Sequence, residues 1–161
     1  MSALPVPVYR ATIGPDWIDP NGHMSVAGYA YLFWRASMEF LAHLGLGYED
    51  VQRTNRSMFT LQWAIAFERE VTLGAPVAVD HQVLDYDAKR IHYFGFMRHA
   101  EEGFLAATHE MLDMHVDLGT RKSVPMAAEQ MRLLEEIWAV HKDLPWPRQA
   151  GAPIAIRRAK A

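Results

Sequence analysis

DPNGHMSVAGY, residues 19–29, is the segment around which the rest of the chain is organised, because a polar turn passes there directly into a long apolar run. Pro20 fixes its own φ, and Asn21 and Gly22 tolerate φ > 0, so these residues predict a tight turn. Ser25 is the predicted N-cap of the following helix, and Asn21 is a second candidate. A turn of this kind therefore sets the direction in which the helix leaves the loop.

Asp19 lies in this turn, beside the start of the predicted helix. The first backbone N–H groups of a helix have no partner within it and stabilise negative charge nearby. A carboxylate can act there as a nucleophile or as a general base. This arrangement is typical of an acyl-transfer site, where an oxyanion develops. Asp19 also suits a plain turn, and the turn sequence by itself leaves both interpretations open.

Composition narrows the class of protein. The chain has 161 residues, 50% of them hydrophobic and 22% charged, as expected for one globular domain. The net charge of −3 gives no reason to expect a nucleic-acid partner. The sequence has no cysteine, which excludes disulfides, thiolate nucleophiles and cysteine-based zinc sites. The N-terminus lacks a signal pattern and no apolar run reaches membrane length, so we expect a cytoplasmic protein without a membrane partner.

Hydrophobic periodicity predicts an α+β domain. Apolar residues repeat at helical spacing from Val26 to Leu46, which predicts a helix about 30 Å long that ends near Gly45 and Gly47. A strand, residues 6–14, is expected before it. A polar connector, residues 48–55, which could contain a helical turn, is expected after it. The period then changes to two, and Phe59, Leu61, Trp63, Ile65 and Phe67 are expected on one face. We predict four strands in a meander over residues 58–68, 77–84, 91–99 and 104–117.

The end of the chain has a different character. An amphipathic helix is predicted to begin at Val124 and Pro125. Residues 144–161 are rich in proline, glycine and basic side chains, and either move freely or pack over the body of the domain. We therefore divide the chain into a domain with its C-terminal helix, residues 1–143, and a basic tail, residues 144–161.

Histidines and aspartates on the last predicted strand raise the question of a metal. His109, Asp113, His115 and Asp117 share one face by the period of two. Residues four apart on a strand are about 13 Å apart, too far for one ion to join His109 and Asp113. His115 with either neighbouring aspartate is the remaining pair. We expect no metal site and no cofactor, since ligands must lie near 2 Å from a metal ion.

Several motifs carry a resemblance to a known family. The Asp19-Pro20-x-Gly22 turn, Tyr29, the long helix and Glu68…Leu73-Gly74-x-Pro76-Val77 together resemble the hotdog-fold acyl-CoA thioesterases, in particular the 4-hydroxybenzoyl-CoA thioesterase-like branch, over residues 6–120. The resemblance implies a five-stranded antiparallel sheet wrapped around one long central helix. It also implies an acyl-CoA substrate, homodimers or homotetramers with continuous sheets, and active sites between subunits.

The same resemblance assigns roles to the turn. Asp19 would be the nucleophile or general base, and a backbone amide near Val26 would form the oxyanion site. Many family members carry Asn, His or Tyr where this chain has Val26, so any role there falls to the backbone. His23 could orient the carbonyl or move a proton, or could cap the helix entry. Asn21 could hold water or the thioester oxygen, although its place in the turn also explains it.

The whole chain is similar, more particularly, to the thioesterases of carnitine catabolism, which hydrolyse betainyl-CoA. Gly22-His23-Met24, Leu144-Pro145-Trp146-Pro147 and Ala150-Gly151 carry this similarity. Three other functions stay open: a non-catalytic hotdog module that binds acyl-CoA, an aromatic thioesterase of the 4-hydroxybenzoyl-CoA type, and a dehydratase. A dehydratase needs a His/Asp arrangement on the central helix, and His43 lies too near the helix end to favour it.

Two sets of side chains are candidates for binding the substrate. Aromatic faces attract a trimethylammonium group, although such residues also serve as ordinary core. The aromatic candidates are Trp17, Tyr29, Phe33, Trp34 and Trp63. Lys and Arg suit the CoA phosphates, although most such residues are merely solvated. The basic candidates are Arg53, Arg56, Lys89 and Arg90.

Overall fold

One antiparallel sheet and three helices make up residues 6–156, the part of the chain that this computed structural model describes. The strands are β1 (Tyr9–Thr12), β2 (Arg56–Phe67), β3 (Pro76–Tyr86), β4 (Arg90–His99), β5 (Leu105–Asp117) and β6 (Lys122–Ser123). The helices are α1 (Val26–His43), α2 (Tyr48–Thr54) and α3 (Ala128–His141), and a single 3-10 turn, Pro15–Trp17, precedes α1.

The sheet has the strand order β1-β3-β4-β5-β2, with the two-residue β6 on β5. The predicted α+β class and the five main strands are confirmed. The expected meander of four strands is wrong for the first of them, because β2 pairs with β5 and not with β3. Residues 68–75 carry the chain from β2 at one edge to β3 near the other. No further strand pairs with the outer edge of β2 within residues 6–156.

Helix α1 lies against the concave face of the sheet and buries one side completely. Leu32, Phe33 and Phe40 are 0% exposed. The first half of α1 packs with the core around Ile13 and Val79, while the second half packs with the core that includes Leu134 of α3. The helix ends at His43, three residues before the predicted Leu46. Leu44 is the C-cap and Gly45 has a φ of +69°, so the chain turns out of the helix there.

A β-bulge in β2 changes which side chains share a face. The pairing with β5 shifts between Thr60 and Gln62, so Leu61 is an extra residue. Trp63 then pairs with Met111, which faces α1, whereas Phe59 pairs with Met114 on the convex side. The prediction that Phe59 shares a face with Trp63 and Phe67 is therefore wrong, since one extra residue inverts a period of two.

Two other local predictions can be compared with the structure. The helical turn allowed in the connector of residues 48–55 is the two-turn helix α2, with Asn55 in the left-handed conformation at its end. The C-terminal helix begins at Ala128 and not at Val124, because the Val124 N–H instead donates to the His115 carbonyl at 3.0 Å. Residues 122–123 thereby extend the sheet as β6.

The described part of the tail, residues 144–156, crosses the convex face of the sheet. Trp146 packs edge-on against His92 with ring centroids 6.2 Å apart. The Gly151 N–H donates to Glu110 Oε2 at 2.7 Å, and Gln82 Nε2 donates to the Pro145 carbonyl at 3.4 Å. This segment therefore makes specific contacts, while residues 157–161 lie outside the described range. The division of the chain at residues 143 and 144 stays a prediction.

Within residues 6–156, no helix is both long and apolar enough to span a membrane.

Candidate active site

The turn that carries Asp19 is a miniature antiparallel hairpin. The Ser25 N–H donates to the Trp17 carbonyl at 2.7 Å, and the Asp19 N–H donates to the His23 carbonyl at 3.1 Å. The Gly22 N–H closes the turn on the Asp19 carbonyl at 3.0 Å. Gly22 has a φ of +85°, which an L side chain rarely adopts. The turn predicted from Pro20, Asn21 and Gly22 is therefore confirmed.

The pairing places the polar side chains of the hairpin together. Ile18 is paired directly with Met24, so Asp19 lies opposite His23. Side chains of directly opposed residues project from the same face with Cβ atoms about 5 Å apart. Met24, on the other face, is 1% exposed and belongs to the core. The Asp19 carboxylate and the His23 imidazole therefore project to the same side of the turn, away from the core.

Asn21 holds the Asp19 carboxylate in place. Its backbone N–H donates to Asp19 Oδ1 at 2.8 Å and its side-chain amide donates to Oδ2 at 3.2 Å. Hydrogen bonds to both oxygens of a carboxylate fix its orientation. Asn21 is thus engaged with the acid, and it is not the cap of α1.

The side chain of His23 has one fixed contact, and its second ring nitrogen has no hydrogen-bond partner among residues 6–156. His23 Nδ1 lies 3.3 Å from the Met24 carbonyl oxygen, so this nitrogen carries the proton and donates. In the neutral ring, Nε2 is then an acceptor. An imidazole in this state can accept a proton or, once protonated, donate one.

Ser25 is the N-cap of α1, as predicted, because its Oγ accepts the Gly28 N–H at 3.1 Å. The N–H groups of Val26 and Ala27 find no hydrogen-bond partner among the described residues. The Val26 side chain is 67% exposed and contributes no polar atom. Two free amides at the positive end of α1 therefore lie directly after the hairpin, where they can stabilise an oxyanion.

Gly28 brings the hairpin against the first turn of α1. A Cβ atom at this position would lie 2.8 Å from Met24 Cγ and 3.0 Å from Trp17 Cβ. Only glycine leaves room for this approach. This role of Gly28 was not predicted from the sequence, although an isolated glycine in the first turn of an apolar helix was the available signal.

The aromatic candidates fall into two groups. Trp17 and Trp34 lie on the outer side, each with its ring centroid 5.8 Å from that of Tyr31. Tyr31, which lies between them and is 44% exposed, was not among the residues predicted from the sequence. This outer group forms an exposed aromatic row beside the hairpin.

The inner group faces the concave side of the sheet. Tyr29 packs edge-on against Phe67 with centroids 5.1 Å apart, and Phe33 stacks on His109 at 4.3 Å. Trp63 donates its indole N–H to His109 Nδ1 at 3.1 Å. The structure therefore does not gather the five aromatic candidates into a single cage within one chain.

The four basic candidates lie at the far end of the sheet from Asp19. Arg56 begins β2 and is paired with Asp117, whereas the hairpin is joined to Val71, beyond the other end of β2, by the Met24 N–H at 2.9 Å. Arg53 and Arg90 make ion pairs with Asp50 and Asp87 at 2.7 and 2.5 Å. The remaining candidate is Lys89, whose Nζ lies 3.4 Å from the Ser123 carbonyl. A single chain does not bring these cations to the hairpin.

A buried polar cluster under α1 was not predicted from the sequence. His81 and His109 are each 1% exposed, with their Nε2 atoms 3.1 Å apart. Burial lowers the pKa of His81 to about 3. Burial and the neighbouring His81 hold the pKa of His109 well below its usual range. Both rings are therefore neutral in the folded protein at physiological pH.

Asp113 and Tyr93 extend this cluster. The Tyr93 hydroxyl donates to Asp113 Oδ2 at 2.8 Å. Burial raises the pKa of Asp113, and burial together with Asp113 raises the pKa of Tyr93 well above its usual range. The alternation of His109, Met111 and Asp113 was the signal for a shared inward face. No group of three or more potential metal ligands occurs within residues 6–156.

Comparisons with known proteins agree on one family. Residues 13–134 match the thioesterase-like superfamily. A betainyl-CoA thioesterase of Pseudomonas aeruginosa is 32% identical over 148 residues, which cover 92% of this chain and 93% of that protein. An L-carnitine dehydrogenase/betainyl-CoA thioesterase of Rhizobium meliloti is 33% identical over 154 residues, which cover 96% of this chain but 31% of the fused protein.

Solved structures are also similar to this chain over nearly its whole length. A hypothetical protein of Staphylococcus aureus, determined in complex with CoA, superposes with a TM-score of 0.88 at 29% identity, covering 93% of this chain and 94% of that one. A putative thioesterase of Pseudomonas putida has a TM-score of 0.81 at 28% identity, covering 96% and 99% of the two chains.

Proposed function

Because this chain belongs to the thioesterase-like superfamily, we propose that it hydrolyses the thioester of betainyl-CoA, with Asp19 as nucleophile or general base. The class of reaction, acyl-CoA thioester hydrolysis, follows from the family and from relatives that cover nearly the whole chain. The acyl group and the roles of individual residues are the proposed part.

The arrangement of the hairpin is the observation that carries the proposal. Asp19 and His23 project to one side of the hairpin, and the free N–H groups of Val26 and Ala27 follow at the start of α1. Thioester hydrolysis needs a nucleophile, a site for the oxyanion and a means of moving a proton. These three requirements can be met within nine residues of the chain.

The proposed reaction has two possible first steps. In one, Asp19 takes a proton from water, whose oxygen bonds to the thioester carbon. In the other, an oxygen of Asp19 attacks that carbon and gives a mixed anhydride, which water then hydrolyses. In both, the free amides of α1 stabilise the oxyanion, the C–S bond breaks and the CoA thiolate takes up a proton. His23 is placed to supply that proton.

The proposal of a betainyl group has its own support. The Pseudomonas aeruginosa relative, which matches the chain nearly end to end, is a betainyl-CoA thioesterase. Trp17 lies two residues before Asp19 and, by the pairing with Ser25, on the same face of the hairpin. An aromatic ring over a trimethylammonium group contributes about 0.5–2 kcal/mol. Trp17 is therefore the aromatic candidate best placed to contact the acyl group.

We further propose that the active enzyme is a homo-oligomer with continuous sheets. The outer edge of β2 is unpaired in the described chain over 12 residues, and Leu61, Trp63 and Phe67 on it are 50%, 37% and 51% exposed. An open, apolar edge of this length favours pairing with another strand. A second copy of β2, related by a two-fold axis, would run antiparallel to the first.

Such pairing would bring the catalytic turn of one subunit close to the basic residues of the other, although the two are far apart within one chain. Arg56 and Phe67 lie at opposite ends of β2, about 35 Å apart at the rise of a strand. Antiparallel pairing would bring the Arg56 end of the second copy beside the Phe67 end of the first, next to the start of α1. The CoA phosphates would then bind to Arg53, Arg56, Lys89 and Arg90 of one subunit while Asp19 of the other cleaves the thioester.

Turnover of a panel of acyl-CoA thioesters tests the function. We expect betainyl-CoA to have the highest kcat/KM, above acetyl-CoA, 4-hydroxybenzoyl-CoA and 3,3-dimethylbutyryl-CoA. Preference for 4-hydroxybenzoyl-CoA would assign the enzyme to the aromatic thioesterases. Binding of these compounds without release of CoA thiol would contradict hydrolysis and identify a binding module.

Sedimentation at micromolar concentration tests the assembly. We expect a dimer or tetramer for the wild type, and a shift towards monomer in Phe67→Glu, which places a charge at the β2 edge. Glu101→Gln, at the exposed turn between β4 and β5, is the control and should leave the assembly unchanged. A monomeric wild type would contradict the shared site.

A further inference from the structure

Trp63, His109 and His81 form a continuous hydrogen-bonded chain from the open edge of the sheet into its centre. The Trp63 indole N–H donates to His109 Nδ1 at 3.1 Å, and His109 Nε2 lies 3.1 Å from His81 Nε2. Both histidines are 1% exposed, whereas Trp63 is 37% exposed. The chain therefore connects one half-exposed aromatic side chain to two fully buried imidazoles.

The indole N–H at one end determines which ring nitrogen of each histidine carries the proton. An indole nitrogen can only donate, so His109 Nδ1 must be unprotonated. The proton of neutral His109 is therefore on Nε2, which donates to His81 Nε2. His81 in turn carries its proton on Nδ1, and this N–H has no partner among the described residues. All hydrogen bonds point in one direction, from Trp63 towards His81.

The surroundings are built to hold the two rings. In the sheet, Gly95 of β4 is paired with His81 on one side and with His109 on the other. A Cβ atom at Gly95 would lie 2.2 Å from two ring atoms of His109, so the rings meet where a side chain is missing. Phe33 and Phe40 of α1 stack on His109 and His81, with centroids 4.3 and 5.1 Å apart. Neither imidazole has room to rotate.

The open end of this chain lies on the same edge strand as Phe67, which contacts the start of α1. Trp63 shares the concave face of β2 with Phe67, two pleats further on. Phe67 contacts Tyr29 in the first turn of α1, with centroids 5.1 Å apart. Trp63 and Phe67 thus form an aromatic wall that runs along the edge of β2 from the start of α1, where the oxyanion amides lie.

We propose that His109 is a positioning residue that fixes the indole of Trp63 as a wall of the acyl site, with His81 and Gly95 holding His109. This inference rests on the proposed thioesterase function and extends it to the determinants of acyl selectivity. Without the hydrogen bond, the Trp63 side chain would keep its contacts with the edge of β2 but lose its fixed orientation. A fixed ring face discriminates between charged and neutral acyl groups better than a rotating one.

Substitutions separate this role from a structural one. In His109→Phe the stack on Phe33 is kept but the acceptor for Trp63 is lost. We expect the ratio of kcat/KM for betainyl-CoA over 3,3-dimethylbutyryl-CoA to fall by about ten-fold, as when one well-placed ring is lost. Trp63→Leu should lower the ratio by as much. The double variant should lower it no further, because His109 acts through Trp63.

His141→Phe is the matched control. His141 is also 1% exposed and accepts the Val83 N–H through Nδ1 at 2.9 Å, but it belongs to α3. This variant should lose stability without a change in the selectivity ratio. An unchanged ratio in Trp63→Leu, or additive effects in the double variant, would overturn the proposal even if His109→Phe does not fold.

Nuclear magnetic resonance of the wild type gives a readout independent of turnover. The chain contains five tryptophans, and the indole proton of Trp63 should exchange slowly and resonate downfield of the others. Imidazole nitrogen shifts should report the proton on Nε2 of His109 and on Nδ1 of His81. A fast-exchanging Trp63 indole, or the opposite tautomers, would overturn the inference. Absence of turnover with these signals present would contradict only the proposed function.

Discussion

The hairpin that carries Asp19 and the buried histidine pair are built in opposite ways. Hydrogen bonds between two residues of the hairpin span at most eight positions, from Trp17 to Ser25, although Met24 also bonds to Val71. The polar side chains of the hairpin face away from the core. The histidine pair joins residues 28 apart, and its link to Trp63 spans 46. Groups at the hairpin are free to meet a substrate, whereas those under α1 are occupied with one another. Polar residues near a site thus differ in role according to what they already contact.

Removing the acid of the hairpin should have the largest effect on turnover. Asp19→Asn keeps the size of the side chain but cannot act as nucleophile or base, so we expect kcat to fall by at least about 10²-fold. Circular dichroism should show an unchanged fold, since the side chain is not part of the core. Stopped assays of CoA thiol release measure the effect.

Asp16→Asn is the control for charge, because Asp16 is exposed in the 3-10 turn three residues earlier. It should retain nearly full turnover. If Asp19→Asn keeps wild-type kcat, the chemistry lies elsewhere and the hairpin is merely a turn.

The histidine pair should respond to substitution through stability. Gly95→Ala places a methyl group 2.2 Å from the His109 ring, which neither Phe33 nor the sheet lets move away. We expect a loss of about 2–3 kcal/mol in the free energy of unfolding, as for other overpacked cores. Urea denaturation measures it. Gly14→Ala, where no atom lies within 4 Å of the added methyl group, should be neutral. Equal losses in both variants would show that contact with the His109 ring is not the cause.

The histidine pair should also make the fold sensitive to acid. In the unfolded chain a histidine has a pKa near 6.5, whereas the pKa of His81 in the folded protein is about 3 and that of His109 is also low. Below pH 6.5 the unfolded state therefore binds more protons than the folded state, and the free energy of unfolding falls. His81 should remove about 1.7 kcal/mol between pH 6.5 and 5, and His109 should add to this loss.

Unfolding at several pH values in wild type and His109→Phe isolates this contribution. The variant should lose stability less steeply with acid, by about 1.4 kcal/mol per pH unit. His43→Gln, which removes an exposed histidine at the end of α1, should keep the wild-type slope. Identical slopes in all three proteins would mean that the buried pair takes up protons without unfolding.

The smallest effect is expected for the aromatic residue beside the hairpin. Trp17→Leu should reduce the preference for betainyl-CoA over 3,3-dimethylbutyryl-CoA by a few-fold to ten-fold, equivalent to about 1 kcal/mol from one cation–π contact. Trp146→Leu, on the convex face, should leave the preference unchanged. A wild type without any preference would contradict an aromatic contact with the acyl group.

Features set by neighbouring residues were predictable from the sequence. The turn at Pro20 to Gly22 and the cap at Ser25 depend on the conformational preferences of a few adjacent residues, and both were predicted correctly. The five main strands followed from a period of two. The class of fold followed from their order around one long helix and from the resemblance to a known family.

Features set by sheet register were not predictable. His81 and His109 lie on two strands that flank Gly95, and their rings meet over this glycine. The residues next to each histidine in the sequence do not show whether its ring is buried or faces solvent. The pairing of the two histidines was therefore not predicted. The crossing of β2 to β5 was missed for the same reason. Phe33 and Trp63 were considered as contacts for substrate, yet each also contacts His109, which the sequence could not indicate.

The bulge at Leu61 has a consequence for comparing this chain with its relatives. Because one extra residue decides which face Trp63, Ile65 and Phe67 occupy, a relative that lacks it would present the opposite set of side chains to α1. Two such sequences could align with high similarity and still have unlike interiors along this strand. Gaps placed in β2 must therefore be checked against the bulge before any residue of the strand is equated with Trp63.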